Sequence, residues 1–281
     1  MNVPAVLMVF SYFVALPVLA DVKPDPGDYA YHPPGTNFAI LYQHNFQGEK
    51  LYSHGKKVGS NLGFEANLLA AKFVSFLPVA GTELVWAPQL AFSSGRQKVH
   101  GTEERYGFGD SLVGATLWLH ADQNAGEYFS LSSYLTIPTG EHKNEGFAFS
   151  DNRYAADFQI AFLRKLSQRV SIDFISEIEL YDNDRSTGAR RDPLYQTHTH
   201  VTYNLNESSW LALSYRHSWG GEERLNGAEV SSSKSNGSVL ISLAKSISPK
   251  VQFMAQVRHD TNITEGVKID KALQFRLVYL Y

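Results

Sequence analysis

The chain has 281 residues, 43% of them hydrophobic and 19% charged, with a formal net charge of -3 at pH 7. That composition is too apolar for a disordered segment and long enough for one large domain or two small ones. A nucleic-acid partner is not expected, because phosphate neutralisation needs concentrated positive charge and there is no Lys/Arg cluster.

Ala5 to Leu19 is an apolar run broken only by Ser11 and Pro17, and it ends in Val18-Leu19-Ala20 before Asp21-Val22-Lys23. The small residues before Asp21 and the shortness of the run predict a cleaved secretory signal over residues 1–20, with a mature start at Asp21. No Lys or Arg follows Met1, so the usual positive n-region is missing, and an N-terminal membrane anchor is the alternative. An exported chain without cysteine must be stabilised by a hydrogen-bond framework or a large core, which a closed barrel provides. Residues 21–34 carry Pro24, Pro26, Pro33 and Pro34, cannot donate regularly to a ladder, and read as an extended periplasmic lead-in.

From there to the C-terminus no stretch approaches the ~20 apolar residues of a spanning helix. The recurring period is two, in segments of about ten residues separated by Gly, Asn, Asp, Ser and Pro. Strands are expected near 35–46, 60–77, 82–97, 105–121, 126–138, 154–165, 168–181, 194–206, 208–219, 235–246, 249–260 and 268–281. In the last of these Leu273, Phe275, Leu277, Tyr279 and Tyr281 share one face, opposite Gln274 and Arg276. Tight links such as Leu166-Ser167 and Asn206-Glu207 alternate with long polar ones near 47–59, 98–104, 139–153, 182–193, 220–234 and 261–267. Short turns at one end and long loops at the other are the habit of outer-membrane barrels. The prediction is an all-β, twelve-stranded antiparallel transmembrane β-barrel of outer-membrane type over 35–281, with a lipocalin-like soluble barrel as the alternative. Two interfacial girdles are assigned Tyr42, Trp86, Phe92, Tyr128, Tyr134, Tyr154, Tyr203, Tyr215, Trp219, Tyr279 and Tyr281.

Several phrases in this order carry a family likeness: Pro34-Gly35-Thr36-Asn37, Gly107-Phe108-Gly109-Asp110, Pro138-Thr139-Gly140, Tyr215-Arg216-His217, and Gly220-Gly221 before Asn226-Gly227. Together they resemble the outer-membrane barrel family associated with the meta-pathway of phenol degradation, over most of the mature chain. The resemblance implies a barrel that admits aromatic or other hydrophobic compounds. It carries over no binding residue.

If one face of each strand meets lipid, the opposite positions line the lumen, since Arg or Lys at the bilayer midplane would cost ~2–4 kcal/mol. The lumen-lining candidates are Asp157 and Gln159, then Asp173, Glu177 and Glu179, then His198 and His200, then Arg216. Gln252, Gln256, Arg258, Gln274 and Arg276 complete them. Acids and bases fall in different sectors, which predicts either a transverse field that orients a polar or dipolar solute or, as the preferred expectation, a network of these groups paired across the lumen that braces or partly plugs the barrel.

His198-Thr199-His200 puts two imidazoles on one face, short of the three or four ligands a Zn site takes. No cofactor or metal is expected. Hydrolysis at the lipid surface is a weighed alternative, because some barrels of this size are lipid hydrolases with a His two residues before Ser-Asn-Gly. Ser235-Asn236-Gly237 has Ser233 at that position, and the adjacent His217 and Ser218 point to opposite faces of a strand. In the long loops, Glu141-His142-Lys143 and Asp182-Asn183-Asp184-Arg185 offer solvated charge or contacts to lipopolysaccharide through divalent cations. The expected function is a channel for passive uptake of small compounds, against an enzyme or a non-conducting structural or adhesive barrel. Expected partners are outer-membrane lipid, small solutes, and the barrel-assembly machinery through the C-terminal strand.

Overall fold

The computed structural model describes residues 23–142 and 149–281; the expected signal at 1–20 lies outside them. Twelve long strands make up the molecule: β1 Asn37–Gly48, β2 Phe64–Ser75, β3 Val85–Lys98, β4 Ser111–Asp122, β5 Glu127–Ile137 and β6 Ala155–Lys165. The others are β7 Val170–Tyr181, β8 Leu194–Asn206, β9 Ser209–Gly220, β10 Lys234–Ser248, β11 Val251–Asn262 and β12 Lys271–Leu280. Each pairs antiparallel with the next, and β12 pairs with β1 from Phe38↔Leu280 to Gln47↔Lys271. The sheet is therefore sealed, as the twelve-stranded reading required.

Closure matters because every backbone group facing hydrocarbon must find a partner inside the protein. The side-chain period then sorts the two surfaces. Phe158, Ile160 and Phe162 on β6, Leu211 and Leu213 on β9, and Ile241 and Leu243 on β10 are exposed, while their strand neighbours are buried or half-buried. Exposed apolar side chains repeated around a closed sheet form a belt for the acyl region of an outer membrane. The start of β1 at Asn37 and the end of β12 at Leu280 lie with the short turns, which is the periplasmic end of such a barrel.

The strand expected over 105–121 is divided. Arg105–Phe108 stays paired to β3, from Gln97↔Arg105 to Ser94↔Phe108, and β4 starts after a turn at Gly109-Asp110. From that turn Asp110 holds the long loop after β5 by accepting the N–H groups of Gly140 (3.0 Å) and Asp151 (3.1 Å). Some of the long loops also carry structure of their own. The hairpin Lys50–Ser53 and Lys56–Gly59 pairs with Gly266–Lys268, while Arg190–Arg191, Glu223–Leu225 and Ala228–Ser231 form a second small sheet.

Of the eleven girdle candidates, eight stand on the exterior, and Tyr42, Tyr128 and Tyr134 point inward. On β5 the cause is plain alternation: Tyr128 and Tyr134 share a face with buried Ser130, Ser132 and Thr136, opposite exposed Leu131 and Leu135. Apolar packing lies inside the barrel at both ends. At the long-loop end Phe64 and Leu68 of β2 pack with Val99, Phe149, Val267 and Ile269; at the other end Phe76, Val85, Trp118, Tyr128 and Leu163 form a collar.

Candidate functional site

The thirteen lumen candidates all sit on inward positions of β6 to β12. Asp157, Gln159, Asp173, Glu177, His198, His200, Gln256 and Arg276 are buried, and Glu179, Arg216, Gln252, Arg258 and Gln274 are half-buried. On the acidic sector Gln159 Nε2 donates to Asp157 Oδ2 (2.9 Å) and Glu177 Oε2 (3.0 Å), and the Tyr181 hydroxyl donates to Glu179 (2.7 Å). His198 Nε2 lies 3.4 Å from Glu177 Oε2, and His200 Nδ1 is 2.7 Å from Ser214 Oγ. The two imidazoles stack at 6.4 Å, and among the described residues no three His, Cys, Asp or Glu side chains are arranged for a metal ion. On the basic sector Gln256 Nε2 donates to Ser242 Oγ (2.8 Å), and Arg276 Nη2 reaches Gln252 Oε1 at 3.5 Å. Asp260 is the acid within this sector; it pairs with Arg258 at 2.7 Å and accepts the Ile269 N–H at 2.8 Å.

The bracing network was expected to join these walls directly. Instead a piece of chain joins them. Residues 24–31, expected in a periplasmic lead-in, fold up into the bore and hydrogen-bond to both sectors. Asp25, 2% exposed, takes Gln274 Nε2 at 3.0 Å, Gln256 Nε2 at 3.3 Å, Arg276 Nη1 at 3.3 Å and Arg216 Nη2 at 3.5 Å. Asp28 binds the same Arg276 at 2.7 Å, and Arg216 also donates to the Pro24 carbonyl at 2.8 Å. Toward the acidic sector the Gly27 N–H donates to Asp173 Oδ2 (2.6 Å) and the Tyr29 hydroxyl donates to Gln159 Oε1.

The segment thus matches the wall's charge pattern: carboxylates face the guanidinium groups, and N–H and O–H donors face the acids. A tight turn makes this geometry. Asp28 N–H bonds the Asp25 carbonyl (3.1 Å), Ala30 N–H bonds the Gly27 carbonyl (3.0 Å), and Gly27 has φ +83°, a left-handed value that suits glycine. Below it, Trp118 Nε1 donates to the Tyr29 carbonyl (3.0 Å), Tyr31 stacks with Tyr128, and Ala30 and Tyr31 pack on the apolar collar. Gly35 and Phe76 then exchange the chain into the sheet, Gly35 N–H to the Phe76 carbonyl and Phe76 N–H to the Thr36 carbonyl, each 2.8 Å.

A sealed barrel with a polar inner sector and an inserted lead-in can be set beside known proteins. Residues 38–275 match the model of the family described as "Putative MetA-pathway of phenol degradation". The chain belongs to that family. No curated protein sequence matches it. Among solved structures, an outer membrane channel of Pseudomonas putida F1 is similar at TM-score 0.87 and 23% identity, over 92% of this chain and all of that one. The beta domain of the Bordetella autotransporter BrkA is similar at TM-score 0.52 and 10% identity, over 89% of this chain and all of that one. Both likenesses are of fold.

The remaining sequence motifs hold loops. Ser235 N–H donates to Thr264 Oγ1 (2.6 Å), and Asn236 Oδ1 accepts the Thr264 N–H (2.9 Å) while its Nδ2 donates to the Glu265 carbonyl (3.0 Å). Ser235-Asn236-Gly237 therefore ties the strand end to the loop before β12. Asp184 caps its own turn through Ser186 and Thr187; Lys143 of the other charged loop phrase lies outside the described residues.

Sequence reasoning passed over Asp25, Asp28 and Tyr29, and also a clamp above the bore. There Arg153, 2% exposed, and Arg191 both bind Glu223 (2.6 and 2.9 Å), Arg191 also binds Asp151, and its guanidinium lies 4.9 Å from the Tyr181 ring centroid. The clamp joins three long loops. Burial pushes the Glu223 carboxyl up, and Arg191 and Arg153 reverse this and hold it below the usual carboxylate range. The only advance signal is the charge of these loops, which says nothing about pairing.

Proposed function

We propose that this protein is an outer-membrane channel for passive uptake of small compounds, exported by the segment 1–20 and narrowed by its own residues 24–31. In this reading the solute path is lined on one side by Asp157, Gln159, Asp173, Glu177, Glu179, His198 and His200. On the other it is lined by Arg216, Gln252, Gln256, Arg258, Gln274 and Arg276. The observation that carries it is the lead-in itself: the polar inner wall meets much of its hydrogen bonding in a separate piece of chain and not only in its own neighbours, which suits a passage with a stopper better than a barrel built only as a scaffold.

The solute class follows from the two inner surfaces. A small molecule would meet apolar Phe64, Leu68 and Phe149 under the long loops and then the charged sector beside Asp25. That suits a small, part-apolar compound with one or two polar groups, and the family's association with phenol degradation agrees with it. We assign no catalysis, since Ser235 and Asn236 are engaged in holding a loop. Outer-membrane lipid surrounds the belt, and the terminal strand β12, apolar outward from Leu273 to Tyr279, is the segment we assign to the barrel-assembly machinery.

Liposome swelling tests the reading. The full-length barrel should pass only small solutes slowly, and a chain lacking residues 24–31 should pass the same solutes severalfold faster and admit larger ones. Equal, negligible swelling by both proteins, with folding verified by heat-dependent gel mobility, would overturn it.

A further inference from the structure

One part of the exterior departs from the apolar pattern. On β2 and the short segment after it the outward residues run Leu69, Ala71, Phe73, Ser75 and Leu77, about nine positions, which is the length a tilted strand needs to cross the acyl region. The strand does not end there. It continues outward with Asn67 and Glu65, and its neighbours rise with it: Asn45 and Gln47 on β1, Arg96 and Lys98 on β3, Lys271 on β12. Strand register sets these side by side. Gln47 stands opposite both Lys271 and Glu65, and Glu65 opposite Lys98; one row below, Asn45 stands opposite Asn67, and Asn67 opposite Arg96.

The extension is stiff. Its inner face is buried on the apolar cluster of Phe64, Ala66, Leu68, Val99 and Phe149, so the outer face is a flat polar platform at headgroup height. On the far side of the barrel the outward rows stay aromatic or aliphatic to the strand ends, at Tyr154, Leu180, Tyr195 and Trp219. Arg96 is engaged with Glu104 at 2.7 Å, and Glu104 also accepts the Tyr106 hydroxyl. Lys98 and Lys271 are exposed; Lys98 stands opposite Glu65 and near enough to Glu104 to act on its carboxyl, and Lys271 stands opposite the neutral Gln47. Three interstrand spacings separate them, roughly 14 Å.

We propose that this platform seats the headgroup of a bis-phosphorylated glycolipid of the outer leaflet. Lys98 and Lys271 take one phosphate each, and Gln47 offers its amide to the sugar hydroxyls between them, while Asn45 and Asn67 are engaged with each other and with Arg96. The spacing suits a disaccharide with a phosphate at each end, and the cations face an anionic layer that attracts Lys and Arg placed beside it. A second copy of the chain is disfavoured as occupant, because the platform has no apolar centre to bury.

Native mass spectrometry of the full-length barrel in detergent, with lipid A and with the same lipid stripped of its phosphates, tests this. Wild type should retain lipid A and not the stripped form. The double variant K98S/K271S should retain it roughly tenfold less, since two surface cations are lost. R164S, which removes an exposed outward cation at the opposite end of the barrel, should leave retention unchanged. Equal retention of the two lipids, equal loss in R164S, no loss in the double variant, or self-association through this wall would each overturn the proposal. Heat-dependent mobility confirms that every variant is folded.

Discussion

The inner wall of β6 to β12 and the inner wall of β1 to β3 solve the same problem differently. The first is lined by ionised and amide groups that need partners, and it finds them in residues 24–31 and in its own neighbours. The second carries Phe64 and Leu68 at one end and Val74 and Phe76 at the other, which pack on loops and on the collar, with buried Gln89 and Ser93 of β3 between them. The comparison teaches where rigidity resides: the apolar ends fix the shape through side-chain packing, and the polar wall of β6 to β12 is held through an inserted piece of chain, which under the proposed function is the part that yields.

The largest effect should therefore come from the apolar wall. Phe64→Ala removes a ring only 1% exposed and should cost about 3–5 kcal/mol of unfolding free energy. Urea unfolding in detergent micelles checks this, and conductance of the folded fraction should change little. A small loss would mean that the long-loop cluster is loosely packed and that the proposed contrast is wrong.

Asp25→Asn should act the other way round. The amide keeps the shape but drops the charge that Arg216 and Arg276 share, so stability should fall by about 1–3 kcal/mol while conductance rises and shifts toward anions. Ion-selectivity measurements across a salt gradient read this out. An unchanged reversal potential would show that these guanidinium groups do not face the path.

The smallest effect should come from the loop clamp. Because the folded Glu223 carboxyl titrates below its unfolded value, the stabilisation is present at neutral pH and is lost as pH falls through that lowered range. Loop protection against protease should hold at pH 7 and weaken only in acid below the ordinary carboxylate range. Glu223→Gln should show weakened protection at every pH.

Much of this was legible in the chain. The strand count and the faces of residues such as Asp157 and Arg276 follow from a period of two, which alternation dictates whatever surrounds the strand, and closure follows from the need of backbone groups in hydrocarbon for partners. Three things were not. On β1 the inward face is Phe38, Ile40, Tyr42, His44 and Phe46 and the outward one includes Gln43 and Gln47, so the rule of apolar outside reverses where loops and lead-in supply an apolar interior. Residues 24–34 were readable as non-strand from their prolines, but their position depends on Arg216, Gln256 and Arg276, about two hundred residues or more away. The clamp depends on which loops meet above the bore, and no local pattern encodes that. Tyr128 and Tyr134 are a different case: their shared face with Ser130 and Ser132 was in plain sight.

The most direct test of the central claim, that the inward faces border a solute path, uses the absence of cysteine from the natural chain. Gln274 points into the bore beside Asp25 and the adjacent Leu273 points out to the belt. In planar bilayers, a bulky water-soluble thiol reagent should cut the current of Gln274→Cys and leave that of Leu273→Cys untouched. Equal block of both, or block of Leu273→Cys alone, would contradict the account.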